Sequence, residues 1–213
     1  MARLVDERFL SDITAKATSA ITTSGLFVKF DTDEEYVVAA GAGDLVLGVL
    51  PTLADASQLV SVVTGGAVRV RLGGTVADKS FVQSDANGKA VTAALGHIAG
   101  YMPVGGASGE LRTVFLGQKP SHGIVGAAVA SAAAIVPTGN LFHVTGTTAI
   151  TSMTATGVAD GAVCTLIFDS TPTFTDGSNL KLAGNLVATA DDTITLVYSL
   201  TDTAWFEVAR SVN

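Results

Sequence analysis

The hydrophobic residues of this chain follow two different periods. Between residues 3 and 21, apolar side chains recur about every four residues with charged residues between them, a pattern that predicts an amphipathic helix. The apolar positions are Leu4, Val5, Phe9, Ile13, Ala17 and Ile21. This helix could pack on its own domain, or residues 1–24 could form an N-terminal arm that orders against a neighbouring subunit. From Gly25 onward the period is two, which predicts β-strands.

The strand pattern from 25 to 118 predicts a first β-domain. In residues 67–72, apolar side chains alternate with Arg69 and Arg71, which indicates a half-exposed strand with two outward arginines. Residues 45–50 are apolar on both faces, as expected for a strand covered on both sides. Asn87-Gly88 predicts a hairpin turn.

Glycine pairs in this segment indicate where strands end. They stand at 65–66, 73–74 and 105–106, between short apolar runs. Short strands at such intervals are typical of a small barrel or sandwich.

A polar stretch at 118–123 predicts a boundary, and we expect residues 119–138 to be a linker. The alanine-rich run at 126–136 is either an extended connector or a short helix. Residues 139–213 form a second β-domain, with strands predicted at 163–168, 193–198 and 204–209. The predicted fold class is all-β, with two small β-barrel or sandwich domains and a short N-terminal arm or helix.

The composition indicates that other protein chains cover much of the surface of this chain. Hydrophobic residues make up 48% of the chain and charged residues only 15%, well below the roughly 25% that is usual. The net charge of −7 argues against a nucleic-acid partner, because phosphate binding needs a basic patch. Residues 124–213 are the more acidic part, with 2 basic and 7 acidic residues.

Neither a membrane span nor a secretory leader is expected. Residues 120–159 contain no Asp, Glu, Lys or Arg, but Pro137, Gly139 and Asn140 interrupt them before they reach a spanning length. Asp6 and Glu7 interrupt any apolar leader segment at the start of the chain. The single cysteine, Cys164, excludes an intramolecular disulfide and fits synthesis in a reducing cytoplasm.

The sequence offers little for catalysis, so we expect no enzyme, no cofactor and no metal. The three histidines are scattered without metal-ligand spacing. Cys164 lies in an apolar strand and is expected to be a buried thiol. Asp176, Asp191 and Asp192 stand at predicted turns, where Asp is common for backbone reasons. One acidic cluster is either a solvated turn or a cation site, and the sequence does not decide which: Asp31, Asp33, Glu34 and Glu35.

The first domain resembles the capsid cement proteins of tailed bacteriophages. The resemblance lies in residues 43–49 (GDLVLGV), 65–70 (GGAVRV) and 83–91 (QSDANGKAV). A strand of the type "IGxA" appears here as residues 96–100 (GHIAG), which departs from the usual order.

The second domain resembles a small C-terminal module of phage head and tail fibre proteins. The matching residues are 141–146, 150–153, 166–168, 178–182 (SNLKL) and 205–211 (WFEVARS). The coupling of the last two motifs is the most specific part of the match.

These resemblances imply a structural virion protein that cements neighbouring major capsid proteins on the outer capsid surface. They also imply a homotrimer, with residues 25–118 as the capsid-binding domain and residues 139–213 as an outer knob. The residues we expect to contact the capsid are Leu4, Phe9, Ile13, Arg69 and Arg71. The alternative is a phage fibre or a receptor- or carbohydrate-binding adhesion protein, and a polysaccharide-degrading enzyme is a third class.

Overall fold

The computed structural model describes residues 9–33 and 35–213, with the side chains of residues 9 and 10 outside the description. These residues contain 19 β-strands and no helix, so the predicted all-β class is confirmed. The chain divides into two compact units, residues 1–119 and 120–213.

The first unit is one nine-stranded sheet in the order β1-β3-β2-β4-β5-β9-β8-β6-β7. Its strands are β1 (Phe9–Ala17), β2 (Leu26–Phe30), β3 (Tyr36–Ala39), β4 (Gly48–Leu50), β5 (Leu59–Arg71), β6 (Ser80–Ser84), β7 (Ala90–Thr92), β8 (Gly100–Met102) and β9 (Leu111–Leu116).

The predicted N-terminal helix is wrong for residues 9–17, which form β1. This strand pairs antiparallel with β5 and parallel with β3. The hydrogen-bonded order β1-β3-β2-β4-β5 therefore ends on a strand that itself pairs with β1. Ala15 and Ala17 are buried in the core, whereas Thr14 before them is exposed and Lys16 between them is partly exposed. The segment therefore alternates with period two.

Strand β5 joins two hydrophobic cores within this unit. One core contains Val60 and Val62 from the first half of β5 together with Ala15 and Ala17. The other contains Val63, Val68 and Val70 with residues of β6, β8 and β9. Gly65 and Gly66, predicted to separate strands, lie inside β5, and Gly66 has a φ of 80°. A glycine with positive φ inside a strand marks a local bend, and here the bend lies where β5 passes from one core to the other.

Residues 45–47 differ from the prediction of one continuous strand over 45–50. Only Gly48–Leu50 is a strand, and Leu45 is exposed. The loop is fixed at both ends, since Leu47 N–H donates to the Val28 carbonyl and the Lys29 ammonium lies 2.7 Å from the Asp44 carboxylate. The predicted hairpin at Asn87-Gly88 is confirmed between β6 and β7.

The second unit has a six-stranded sheet in the order β10-β12-β14-β18-β19-β16 and two two-stranded sheets, β11-β13 and β15-β17. Its strands are β10 (Val129–Ala130), β11 (Ala134–Ile135), β12 (Leu141–Thr145), β13 (Ser152–Met153), β14 (Val163–Phe168), β15 (Thr173–Phe174), β16 (Leu180–Lys181), β17 (Leu186–Val187), β18 (Thr193–Ser199) and β19 (Ala204–Ser211).

Parallel pairing makes this unit solenoid-like, in place of the predicted barrel or sandwich. β10 and β14 both pair parallel with β12, β11 pairs parallel with β13, and β16 pairs parallel with β19. Successive turns of the chain therefore stack side by side, as in a solenoid. β10 and β11 lie within residues 119–138, the segment expected to be a linker, and both pair with strands of this unit.

Two side chains of the second unit are strongly perturbed by their surroundings. Cys164 is fully buried, so the prediction of a buried thiol is confirmed, and this burial raises the pKa of the thiol to about 12. Asp192 accepts hydrogen bonds from the backbone N–H groups of Asn213 and Thr189, at 2.8 and 2.7 Å. These bonds lower the pKa of Asp192 and tie the end of the chain to the start of β18.

Candidate docking face on the first unit

A row of aromatic side chains crosses the outer side of the sheet formed by β5, β9, β8 and β6. Strand register places Phe115 between Ala67 and Tyr101, and Tyr101 beside Phe81. Phe115 is 39% exposed, while Tyr101 and Phe81 are partly exposed. We call this surface, together with Arg69, the docking face.

The opposite side of the same strands is core, so the alternation of each strand fixes which residues point outward. Val68, Val114, Met102 and Val82 are all at most 2% exposed. Because neighbouring side chains in a strand point to opposite faces, the residues between these positions must project outward.

A glycine allows the strands of the face to approach each other. A Cβ atom on Gly100 would lie 2.3 Å from the carbonyl oxygen of Phe115, far inside van der Waals contact. Only glycine fits there, and its small size lets β8 place Tyr101 directly beside Phe115. The rings of Phe81 and Tyr101 then lie 5.4 Å apart at an interplanar angle of 56°, an edge-type contact that is favourable between aromatic rings.

The strands of the docking face carry positive charge only. β5, β6, β8 and β9 contain Arg69, Arg71 and Arg112 and no Asp or Glu, and Arg112, which pairs with the buried Val70, lies on the other side of the sheet. Arg69 is exposed opposite Thr113, and the structure shows no hydrogen bond or ion pair from its side chain to any described residue. Arg69 is therefore available to a partner.

Arg71 is already engaged within the unit, although the sequence predicted the same role for it as for Arg69. Its guanidinium donates to the carbonyl oxygens of Ser24 at 3.2 Å and Gly109 at 2.8 Å. Arg112 pairs with Glu110 at 2.8 Å. Of the three arginines, Arg69 has the side chain best placed to contact another molecule.

Of the predicted contact residues near the N-terminus, Ile13 is the one whose side chain the structure describes. Leu4 lies outside the described residues, as does the side chain of Phe9, whose backbone pairs with Gly66 in β5. Ile13 is partly buried against the first core. Ile13 therefore packs against the first unit's own core from strand β1.

The acidic cluster is a hydrogen-bonded turn as far as it is described. Asp33 accepts hydrogen bonds from the N–H groups of Glu35 and Tyr36, and Asp31 accepts one from the Thr18 hydroxyl. Glu34 lies outside the described residues. Among the residues that are described, no group of three or more His, Cys, Asp or Glu side chains could hold a metal ion.

The sequence did not identify the aromatic row. Each of its members is a single aromatic at an outward position of a strand, and the three come together only through the pairing of β6, β8 and β9. The one available signal was alternation in 111–116, which puts Phe115 on the side opposite Val114.

Comparisons with known proteins find a likeness to solved structures but no family. No family model matches the chain, and no curated protein matches it either. A solved structure, the head fiber gp8.5 N base in bacteriophage phi29, is similar over 53% of this chain and 98% of its own, with 18% identity and a TM-score of 0.45. Across residues 9–33 and 35–213, the structure has no helix with the length and apolarity required to cross a membrane.

Proposed function

We propose that this chain is a non-enzymatic structural protein of a bacteriophage virion. In this proposal it is made in the host cytoplasm, binds the outer capsid surface as a homotrimer and cements neighbouring major capsid proteins. The sequence resemblance of residues 43–100 to capsid cement proteins supports the assignment to phage.

The docking face is the observation that carries the proposal. Protein interfaces are enriched in aromatic residues and arginine, and these residue types supply most binding hot spots. Phe115 with Tyr101 and Phe81 provides the apolar part, and Arg69 provides a positive charge that has no partner among the described residues. A net positive set of strands on a chain of net charge −7 favours an acidic protein surface as the partner.

Binding of this kind stabilises a capsid by mass action. A protein that binds the assembled shell, and not the separated subunits, adds its binding free energy to the cost of disassembly. Because capsid sites repeat by symmetry, the same contribution applies at every equivalent position. No chemical step is needed for this role.

The carbohydrate-binding alternative has less support from the side chains. Sugar stacking needs an exposed aromatic plane, but Trp205 is fully buried and Tyr198 is 4% exposed. Trp205 donates its indole N–H to the Met153 carbonyl at 3.2 Å, so it is fixed in the core.

The experiment is to locate the chain on the virion and to remove it. We expect electron microscopy to show its density at local three-fold positions of the head, and particles assembled without it to release DNA at a lower temperature. Purified full-length chain should restore heat resistance, whereas Arg69→Glu should restore less of it. Lys119→Glu, an equal charge change off the docking face, should act as the wild type does.

Two results would overturn the proposal. One is density found only at the tail, which would favour the fibre alternative. The other is that particles lacking the chain resist heat as well as complete particles do.

A further inference from the structure

The second unit has an outer sheet face whose side chains are partly exposed. Register aligns Val163, Val197 and Phe206 in one row across β14, β18 and β19. Val163 is 45% and Phe206 36% exposed. The opposite side of these strands is core, with Cys164, Leu196 and Trp205 all at 0% exposure on the positions between.

The polar groups of this face bond to each other. The next row brings Thr165 beside Thr195, and their hydroxyl oxygens lie 2.9 Å apart. At one edge, Nδ1 of His143 lies 2.6 Å from the Asp169 carboxylate. Polar groups that already have partners lose little when water is removed, so such a face can be buried at small cost.

Charged side chains of the four strands avoid this face. β12, β14 and β18 contain no Asp, Glu, Lys or Arg. β19 contains Glu207 and Arg210, which pair across to the buried residues Leu196 and Ile194 and so lie on the other side. There Glu207 also accepts from the N–H of Ala183, and Arg210 donates to the Gly184 carbonyl.

The unit as a whole is acidic, which limits where two copies can meet. Residues 120–213 contain 2 basic and 7 acidic residues, and apart from Glu207 the acidic ones lie in loops, at positions 160, 169, 176, 191, 192 and 202. Contacts between these loops in two copies would bring like charges together. The outer sheet face is a part of this unit on which identical copies can meet without that repulsion.

We propose that the outer face of the β12-β14-β18-β19 sheet is the surface through which copies of this chain pack on one another. This inference deepens the proposed function, since it assigns an interface to the proposed homotrimer. Four strands about 4.8 Å apart and three rows of side chains give a face on the order of 300 Å² in projection. A standard interface buries about 800 Å² per partner, so association through this face alone is weak and depends on concentration.

The test is sedimentation of the full-length chain at increasing concentration, in reducing buffer and without capsids. We expect the average mass to rise between about 5 and about 500 μM, since weak interfaces dissociate in the micromolar range and above. Val163→Glu should abolish that rise by placing a carboxylate on the face. Val187→Glu, the same change at a 68% exposed strand position of the two-stranded sheet β15-β17, should leave it intact. Phe206→Thr keeps a strand-forming residue, adds no charge and should weaken the rise.

The outcomes separate this inference from the proposed function. The interface is overturned if the average mass stays that of a monomer at every concentration. It is also overturned if the mass rises equally for Val163→Glu while thermal unfolding shows that this variant is folded. Association that stops at two copies supports the interface and contradicts the homotrimer. Capsid binding is measured separately, so its absence would count against cementing without bearing on self-association.

Discussion

Truncating Phe115 to alanine should weaken capsid binding by about tenfold to thirtyfold. A phenylalanine side chain offers about 200 Å² of surface, and 39% of Phe115 is exposed, so a partner can cover roughly 80 Å². At about 25 cal/mol per Å², full coverage contributes about 2 kcal/mol, and about 1.4 kcal/mol corresponds to a tenfold change in affinity. The cost to folding should be smaller, because the exposed part of the ring is not in the core.

The assay is co-sedimentation of the purified full-length chain with phage particles assembled without it. Leu53→Ala is the matched control, since Leu53 is 57% exposed in the same unit and lies off the docking face; it should bind as the wild type does. Thermal unfolding of each variant separates lost binding from lost stability. The reasoning is refuted if Phe115→Ala binds within about twofold of wild type, a change well below the predicted loss, while Leu53→Ala weakens binding.

Three further predictions concern the fold. Gly48→Ala should lower the free energy of unfolding by about 3 kcal/mol, seen as a lower Tm, because its Cβ would lie 2.2 Å from the Val63 carbonyl oxygen. Gly74→Ala is the control, since its Cβ would meet only one atom, at 3.9 Å, and its Tm should stay near that of the wild type. Equal Tm values for the two variants would contradict this. Cys164, with its pKa raised to about 12, should react with a thiol reagent only after denaturation; rapid reaction of the native chain would count against its burial. The hydrogen bonds that lower the pKa of Asp192 stabilise the fold at pH values above the ordinary pKa of 3.8, and this stabilisation is lost as pH falls through the folded pKa. Asp192→Asn should therefore lower the Tm at pH 7 and make the Tm less dependent on pH in the acid range. A Tm that falls with acid as steeply as in the wild type would contradict this role of Asp192.

The error at the N-terminus has a simple geometric cause. A spacing of four residues fits the helical period of 3.6, but four is also a multiple of two, so Ile13 and Ala17 share one face of a strand as well. The alternation of Ala15 and Ala17 with Thr14 and Lys16 is weak on any hydrophobicity scale, because alanine contributes little. Long-range pairing of β1 with β5 decided the structure, and a local pattern does not contain that information.

Glycines were the other source of error. Gly73-Gly74 and Gly105-Gly106 lie between strands as predicted, whereas Gly65-Gly66 lies inside β5. A glycine pair indicates freedom of the backbone, which a turn and a bend within a strand use equally well. Strands whose alternation was unambiguous, such as β14 and β18, were located to within a residue at each end.

For the candidate site, the sequence could identify which arginines point outward but not which of them already hydrogen-bond within the unit. Arg69 and Arg71 alternate identically with their apolar neighbours, and both were assigned to the capsid. Their difference comes from Ser24 and Gly109, which are distant in sequence and reach only Arg71. Likewise, the row of Phe81, Tyr101 and Phe115 exists only once three strands are in register.

The docking face and the outer sheet face differ in charge, and this difference would allow one chain to use both as proposed. The docking face, on strands with arginine and no carboxylate, is suited to an acidic partner, and two copies of that face would repel each other through Arg69. The outer sheet face of the second unit carries no ionic charge on its four strands beyond the His143–Asp169 edge, so copies of the chain can meet there although the unit is acidic. Because like charges brought together cost free energy and uncharged contacts do not, each surface discourages the association that the other favours. In the two proposed roles, the division of charge along the chain, with the acidic excess in the loops of the second unit, acts as a specificity device.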